Sequence, residues 1–184
     1  ANEAFRKISP KKDVDGFTVL NAGKLSIGLD SNVACTPRGI ITILKEFDIE
    51  IESKDVLIIN RSNIVGKPLI QMFLKENATV TIAHSKTKNL KEKVKLSDIV
   101  VTAVGKINFL SADDFSDNTT IIDVSINFDE FGKMCGDIKK EDYQALNEKG
   151  VLYTSVPNGV GQLTTLTLIE QTVEIAKKFD IEGD

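Results

Sequence analysis

Residues 55–68, DVLIINRSNIVGKP, decide how this chain is read. Asp55-Val56-Leu57-Ile58-Ile59 is a short apolar run rich in β-branched residues, long enough for one buried strand. Asn60-Arg61-Ser62 ends it with polar side chains suited to a tight turn. Gly66, Lys67 and Pro68 then open a segment of helical character, residues 69–76. A strand, a polar turn and a helix N-terminus in succession aim backbone N–H groups and the positive end of the helix dipole at one point, which suits an anion. The stretch predicts either a turn that holds nucleotide phosphates or an ordinary strand-to-helix connection in an α/β protein.

The rest of the composition narrows the setting. The 184 residues suffice for one good-sized core with room for an appendage, and 41% hydrophobic with 27% charged residues is ordinary for a globular domain. A net charge of −4 without a dominant single-sign run gives no basic field for nucleic acid, so no nucleic-acid partner is expected. No apolar run approaches the roughly 18 residues of a membrane span, and the start lacks a signal-peptide pattern, so no membrane partner is expected. Cys35 and Cys135 stand far apart in no metal-like spacing, which suits a reducing compartment and a cytoplasmic location. With a single His and no Cys cluster, no metal site is expected.

Outward from the central stretch, residues 1–35 read as polar, turn-forming sequence punctuated by Gly16, Gly23 and Gly28, with little regular structure. A loop of that length inside a compact domain is often functional. Thr36 is the expected N-cap of a helix with Pro37 at its first position and Ile40, Ile41, Leu44 and Phe47 on its apolar stripe. Further strands are expected at residues 78–83, 98–104, 119–124 and 150–154, and helical segments at 90–96, 111–115, 139–149 and 164–178. This alternation predicts an α/β fold, a Rossmann-like doubly wound parallel sheet. Ligands of such sheets bind beyond the carboxyl ends of the strands. Those ends are Asn60-Arg61-Ser62, His84-Ser85, Gly105, Ser125-Ile126-Asn127 and residues 155–161, all small or polar, and they are read as one cleft.

The choice of nucleotide rests on the second strand. GxGxxG is absent, replaced by Asn60, Ser62 and Gly66, so the turn alone is a weak signal. An NAD site usually ends its second strand in Asp or Glu for the ribose 2′-hydroxyl. Here the position reads His84-Ser85-Lys86, without a carboxylate, and Arg61 and Lys86 suit a 2′-phosphate with Ser85 as a further donor. This favours NADP over NAD, the plain alternative being two solvated surface charges. His84, beside the adenosine end, is assigned a binding or packing role away from hydride chemistry.

Several stretches together resemble the bifunctional methylenetetrahydrofolate dehydrogenase/cyclohydrolase family. They are Lys12-Asp13-Val14-Asp15-Gly16-Phe17, Asn21-x-Gly23-x-Leu25, Cys35-Thr36-Pro37-Arg38-Gly39, Arg61-Ser62-Asn63-Ile64-Val65-Gly66-Lys67-Pro68, Asn77-Ala78-Thr79-Val80-Thr81 with His84-Ser85-Lys86-Thr87, Gly132-Lys133 with Gly136-Asp137, and Val156-Pro157-x-Gly159-Val160-Gly161-x-x-Thr164. The matches run in the family's order from about residue 9 to 178. The resemblance implies oxidation of 5,10-methylenetetrahydrofolate with NADP and hydrolysis of the methenyl product to 10-formyltetrahydrofolate. Tetrahydrofolate derivatives are then the partners, in a homodimer. It implies a cofactor set of Asn60, Arg61, Ser62, Val65, Gly66, His84, Ser85, Gly105, Ile126 and Thr164. Asp15 falls where a family aspartate meets the pterin, and it is also the chain's candidate catalytic group, the plain alternative being a turn-forming aspartate. Pro157, Asn158, Gly159, Val160 and Gly161 match a loop lining the folate and nicotinamide.

The departures are specific. Asn60, Ser125 and Asn158 stand where the family usually has glycine, Gln162 replaces a proline, and Ala34 stands where proline is common. Asn tolerates left-handed backbone angles, so Asn60 and Asn158 are expected to keep the turn shapes. The family's first domain carries Tyr-x-x-x-Lys, whose lysine serves both reactions, yet the residues four past Tyr143 and Tyr153 are Asn147 and Pro157. The chain is therefore expected to be a C-terminal portion. Residues 1–35 are then a remnant of the catalytic domain, 36–162 the NADP-binding domain, and 163–184 a helix packing back toward the catalytic domain. The alternative function is a non-catalytic or degenerate nucleotide-binding module.

Overall fold

Strand β1 (Asp55–Ile59) lies inside a sheet of five parallel strands with β2 (Thr79–Ala83), β3 (Ile99–Thr102), β4 (Thr120–Asp123) and, past a small ribbon, β7 (Leu152–Tyr153). The ribbon pairs β5 (Asn127–Phe128) with β6 (Met134–Cys135) antiparallel. The computed structural model describes residue 5 and residues 7–182. The spatial order is β2-β1-β3-β4-β7, a doubly wound sheet whose strand order reverses between β1 and β3.

Period-2 side-chain alternation feeds two cores. Val56, Ile58, Ile99, Val101 and Ile122 face one side with α2 (Cys35–Glu46), α3 (Gly66–Lys75) and the start of α6 (Val160–Glu182). Leu57, Ile59, Val100 and Ile121 face the other with α4 (Leu90–Lys95), a 3-10 turn at Ala112–Asp114 and α5 (Tyr143–Glu148). β1 is buried on both faces, so truncating Leu57 or Ile58 to Ala should cost about 2–5 kcal/mol.

The expected elements are present with shifted bounds. The run 139–149 divides into a 3-10 turn, Lys140–Asp142, and α5. Residues 1–35 hold more regular structure than expected: a 3-10 turn at Pro10–Lys12 and a helix, α1 (Val19–Ser26). α1 starts because the Thr18 hydroxyl accepts from Asn21 N at 3.4 Å and the Asp13 carboxylate accepts from Phe17 N, Thr18 N and Asn21 Nδ2. Burial opposes the charge on Asp13, but bonds from Asn21, Thr18 and Phe17 outweigh it and hold its pKa below the ordinary value. α2 starts earlier than expected, with Ala34 rather than Thr36 as N-cap. Pro37 fits at the third helical position because first-turn amides have no helical partner to lose, and Thr36 uses its hydroxyl on Thr164 instead, at 3.0 Å. α6 begins at Val160 rather than 164, so Val160 and Gly161 form its first turn rather than loop.

Candidate functional site

The turn after β1 is organised by the Asn60 side chain. Asn60 Oδ1 accepts from Ser62 N at 2.8 Å and Gly66 N at 3.1 Å, while Nδ2 donates to Ala103 O at 2.7 Å. One amide thus ties the ends of β1 and β3 together at the point where the strand order reverses. Its backbone is not among the left-handed residues, which corrects the expectation that Asn60 keeps the turn through a positive φ. Ser62 Oγ accepts from Val65 N at 3.1 Å. Gly66 is needed for closeness: a Cβ there would stand 2.6 Å from the Asn60 carbonyl carbon and 2.9 Å from Arg61 N. The amides of Arg61, Asn63 and Ile64 have no hydrogen-bond partner among the described residues.

At the end of β2, His84 accepts from Lys86 N through Nδ1 at 3.1 Å and gives its own amide to Thr87 Oγ1 at 2.9 Å, shaping the turn that carries Ser85. Arg61, Ser85 and Lys86 are exposed, and neither Arg61 nor Lys86 makes an ion pair among the described residues.

The ends of β3 and β4 are held by a carboxylate that motif reading passed over. Asp137 is 0% exposed. Its Oδ2 accepts from Thr102 Oγ1 and Ser125 Oγ at 2.7 Å and from Val104 N at 2.8 Å. Its Oδ1 accepts from Lys106 N at 2.9 Å, Gly105 N at 3.0 Å and Asn127 Nδ2 at 3.3 Å. Six donors satisfy it as an anion, and they fix the 103–106 turn against the 125–127 segment. Beside it Asp123, 1% exposed, accepts from Ile138 N at 2.9 Å and Ser125 N at 3.1 Å. Burial, together with the Asp137 charge, pushes its pKa up to about 7 despite those bonds. Gly136 leaves room for this carboxyl, since a Cβ would stand 2.5 Å from Asp123 Cγ. The signal in the sequence was the Gly136-Asp137 pair. Ser125 is absorbed into the same network and also accepts from Gly105 N at 3.0 Å. Ile126 stays exposed beside it.

After β7, Pro157, Asn158 and Gly159 form the loop into α6. Asn158 takes φ +76°, the left-handed angle expected of it, and its Oδ1 accepts from Gln162 Nε2 at 3.3 Å. Thr164 faces α2, bonded to Thr36 and to Val160 O. Asp15 stands next to Cys35 in the first turn of α2. Burial first, and then a hydrogen bond to Asp15 and its charge, push the Cys35 thiol up to about 12. A mostly apolar groove of about 840 Å³ joins this segment to the turn after β1, lined by Gly16, Phe17, Ala34, Asn63, Ile64 and Pro68 among others. A depression of about 400 Å³ at the opposite, amino edge of the sheet, around Lys54, Asp98 and Thr120, contains none of the candidate residues. The carboxyl edge thus gathers residues 60–66, 84–85, 105, 126 and 157–159.

Comparison with known proteins gives this geometry a family. Residues 34–180 match the family model described as tetrahydrofolate dehydrogenase/cyclohydrolase, NAD(P)-binding domain. The bifunctional protein FolD of Bacillus subtilis is 48% identical over 174 residues, covering 95% of this chain and 60% of that protein. Its Campylobacter fetus counterpart is 48% identical over 176 residues, covering 96% and 61%. Among solved structures, FolD of Campylobacter jejuni superposes with a TM-score of 0.90 at 39% identity, covering 96% of this chain and 62% of that one. The Trypanosoma brucei FolD complexed with NADP cofactor and inhibitor gives 0.86 at 29%, covering 96% and 62%. The chain spans about 60% of the length of the curated relatives it matches. It belongs to the tetrahydrofolate dehydrogenase/cyclohydrolase family, and residues 34–180 are its NAD(P)-binding domain.

Proposed function

We propose that this chain is the NADP-binding part of an enzyme that oxidises 5,10-methylenetetrahydrofolate to the methenyl form and hydrolyses that to 10-formyltetrahydrofolate. The observation that carries the reading is the carboxyl edge around the β1–β3 reversal. A turn with three unpartnered amides, which itself carries Arg61, lies beside a β2 end that offers Ser85 and Lys86 and no carboxylate. That donor set fits a phosphorylated ribose: the amides and the α3 N-terminus take pyrophosphate, and Arg61 with Ser85 and Lys86 takes the 2′-phosphate. When bound, NADP supplies the hydride acceptor. The protein's share is positioning: Asp137 holds the 103–106 and 125–127 segments that flank the nicotinamide end, and the 157–159 loop closes the folate side. Asp15, whose chain neighbours Gly16 and Phe17 line the groove, is the group offered to the pterin.

The same proposal divides the chain into residues 1–35, 36–162 and 163–184, with a homodimer in the cytoplasm. The family match begins at residue 34, close to the first of these boundaries, and runs on to residue 180, past the second. No helix among the described residues is long and apolar enough to cross a membrane. The rival reading, a degenerate module, leaned on the missing Tyr-x-x-x-Lys lysine and on glycine replacements; the bonds of Asn60, Ser125 and Asn158 accommodate the replacements alone. The test is a spectrophotometric assay of the whole protein with 5,10-methylenetetrahydrofolate and NADP. Methenyl product at a rate dependent on both is the expected result; NADP binding without turnover points to the degenerate module.

A further inference from the structure

Gln171 is a buried polar side chain that the cofactor site leaves unused. It sits on α6, 2% exposed, where a helical glutamine usually faces water. Its Nε2 donates to Val14 O at 3.0 Å and Val33 O at 2.9 Å, with Cys35 Sγ 3.2 Å from the same nitrogen. Its Oε1 accepts from Arg38 Nη1 at 3.2 Å and Val33 N at 3.5 Å. Arg38 is in turn braced by Glu174, whose two carboxylate oxygens it contacts at 2.7 and 2.9 Å. One amide therefore joins three segments that are 133–157 residues apart in sequence from it or its helix: the loop before Asp15, the segment entering α2, and α2 itself.

We infer that Gln171 is a positioning residue for Asp15, acting through the Val14 carbonyl and through Cys35, and so sets folate affinity rather than cofactor affinity. The inference rests on the folate reading of Asp15. Val14 is the residue before Asp15, so clamping its carbonyl fixes where the Asp15 Cα starts, and the Cys35 thiol is hydrogen-bonded to the Asp15 carboxylate. Asp13, with its bonds to Phe17 N and Thr18 N, anchors the far side of the same loop. Among the described residues Asp15 has no other hydrogen-bond partner, so its aim depends on these neighbours. Nothing in the clamp reaches the turn at residues 60–66 that faces the phosphates.

The test uses the whole protein with Gln171→Met, which keeps the volume and removes both halves of the amide, and with the pair Cys35→Ala and Cys35→Ser. Gln171→Met should raise the KM for 5,10-methylenetetrahydrofolate about tenfold, the loss of a buried hydrogen-bond anchor, with the NADP KM changed less than twofold. Amide hydrogen exchange of residues 14–18 and 33–35 should quicken by at least about tenfold while 60–66 stays unchanged. Cys35→Ser, which keeps a donor toward Asp15, should leave the folate KM nearer to the wild type than Cys35→Ala does. A purely packing role reverses that order, because a buried hydroxyl is costlier than a methyl. An unchanged folate KM in Gln171→Met, equal loosening of 60–66, or the reversed Cys35 order overturns the inference while wild-type activity keeps the folate reading. A wild type with no folate affinity overturns both together.

Discussion

Gly66→Ala separates two effects of opposite sign. By intrinsic propensity alone, Ala at an exposed helix position gains up to about 1 kcal/mol over Gly, and less at the first residue of a helix. The structure argues the other way. The new Cβ meets the Asn60 carbonyl and Arg61 N, both backbone, inside the distance that real Cβ atoms keep, so α3 must back away from the end of β1. Overpacking of that kind costs about 1–3 kcal/mol. The retreat also stretches the Gly66 N to Asn60 Oδ1 and Lys67 N to Ser62 O bonds, worth about 1 kcal/mol each. The net expectation is a loss of about 2 kcal/mol, or about 4–8 °C in Tm for a domain of this size. Urea denaturation with an unchanged m-value measures it, and NADP titration should show weaker binding in the same variant. A variant as stable as the wild type, or more stable, refutes the reasoning about this turn.

Three further outcomes follow from the site. Asp137→Asn leaves at least one of six inward donors facing an NH2, so stability should fall by about 3 kcal/mol in thermal melting, with loop 103–106 the first to loosen. Asp123 has a folded pKa of about 7 against an ordinary 3.8, so the folded state binds its proton more tightly and stability falls as pH rises between those values. Asp123→Asn should flatten that fall in urea midpoints measured from pH 4 to 8; an unchanged slope would place the titration elsewhere. Glu174→Ala removes the exposed ion pair with Arg38 while leaving the Arg38 bond to Gln171 in place, and should cost under about 1 kcal/mol, diminishing further at high salt.

Much of the frame was legible because its signals are local. A β-branched run such as Val56 to Ile59 has few alternatives to a buried strand, and the βαβ alternation then dictates where a ligand goes. The misplaced boundaries come from tertiary partners that sequence does not show. Thr36 looked like an N-cap, but its hydroxyl is taken by Thr164, 128 residues away. Helix α1 was hidden by Gly23 inside it and by a cap from Asp13, five residues before Thr18. Asn60 read as a flaw in a glycine motif because spacing cannot reveal that its amide bridges to Ala103. The Gly136-Asp137 pair could be seen in the sequence but the role of Asp137 could not, and Gln171 gave no signal: each makes its bonds to segments distant in the chain, and an isolated Asp or Gln carries no periodicity.

The central claim, that the reversal between β1 and β3 holds NADP through Arg61, Ser85 and Lys86, is tested most directly by calorimetric titration with NADP and with NAD. The account predicts that NADP binds at least about tenfold tighter than NAD, and that Arg61→Ala with Lys86→Ala removes the difference by weakening NADP alone. Equal affinity for the two cofactors in the wild type, or a preference that survives the double substitution, would contradict it.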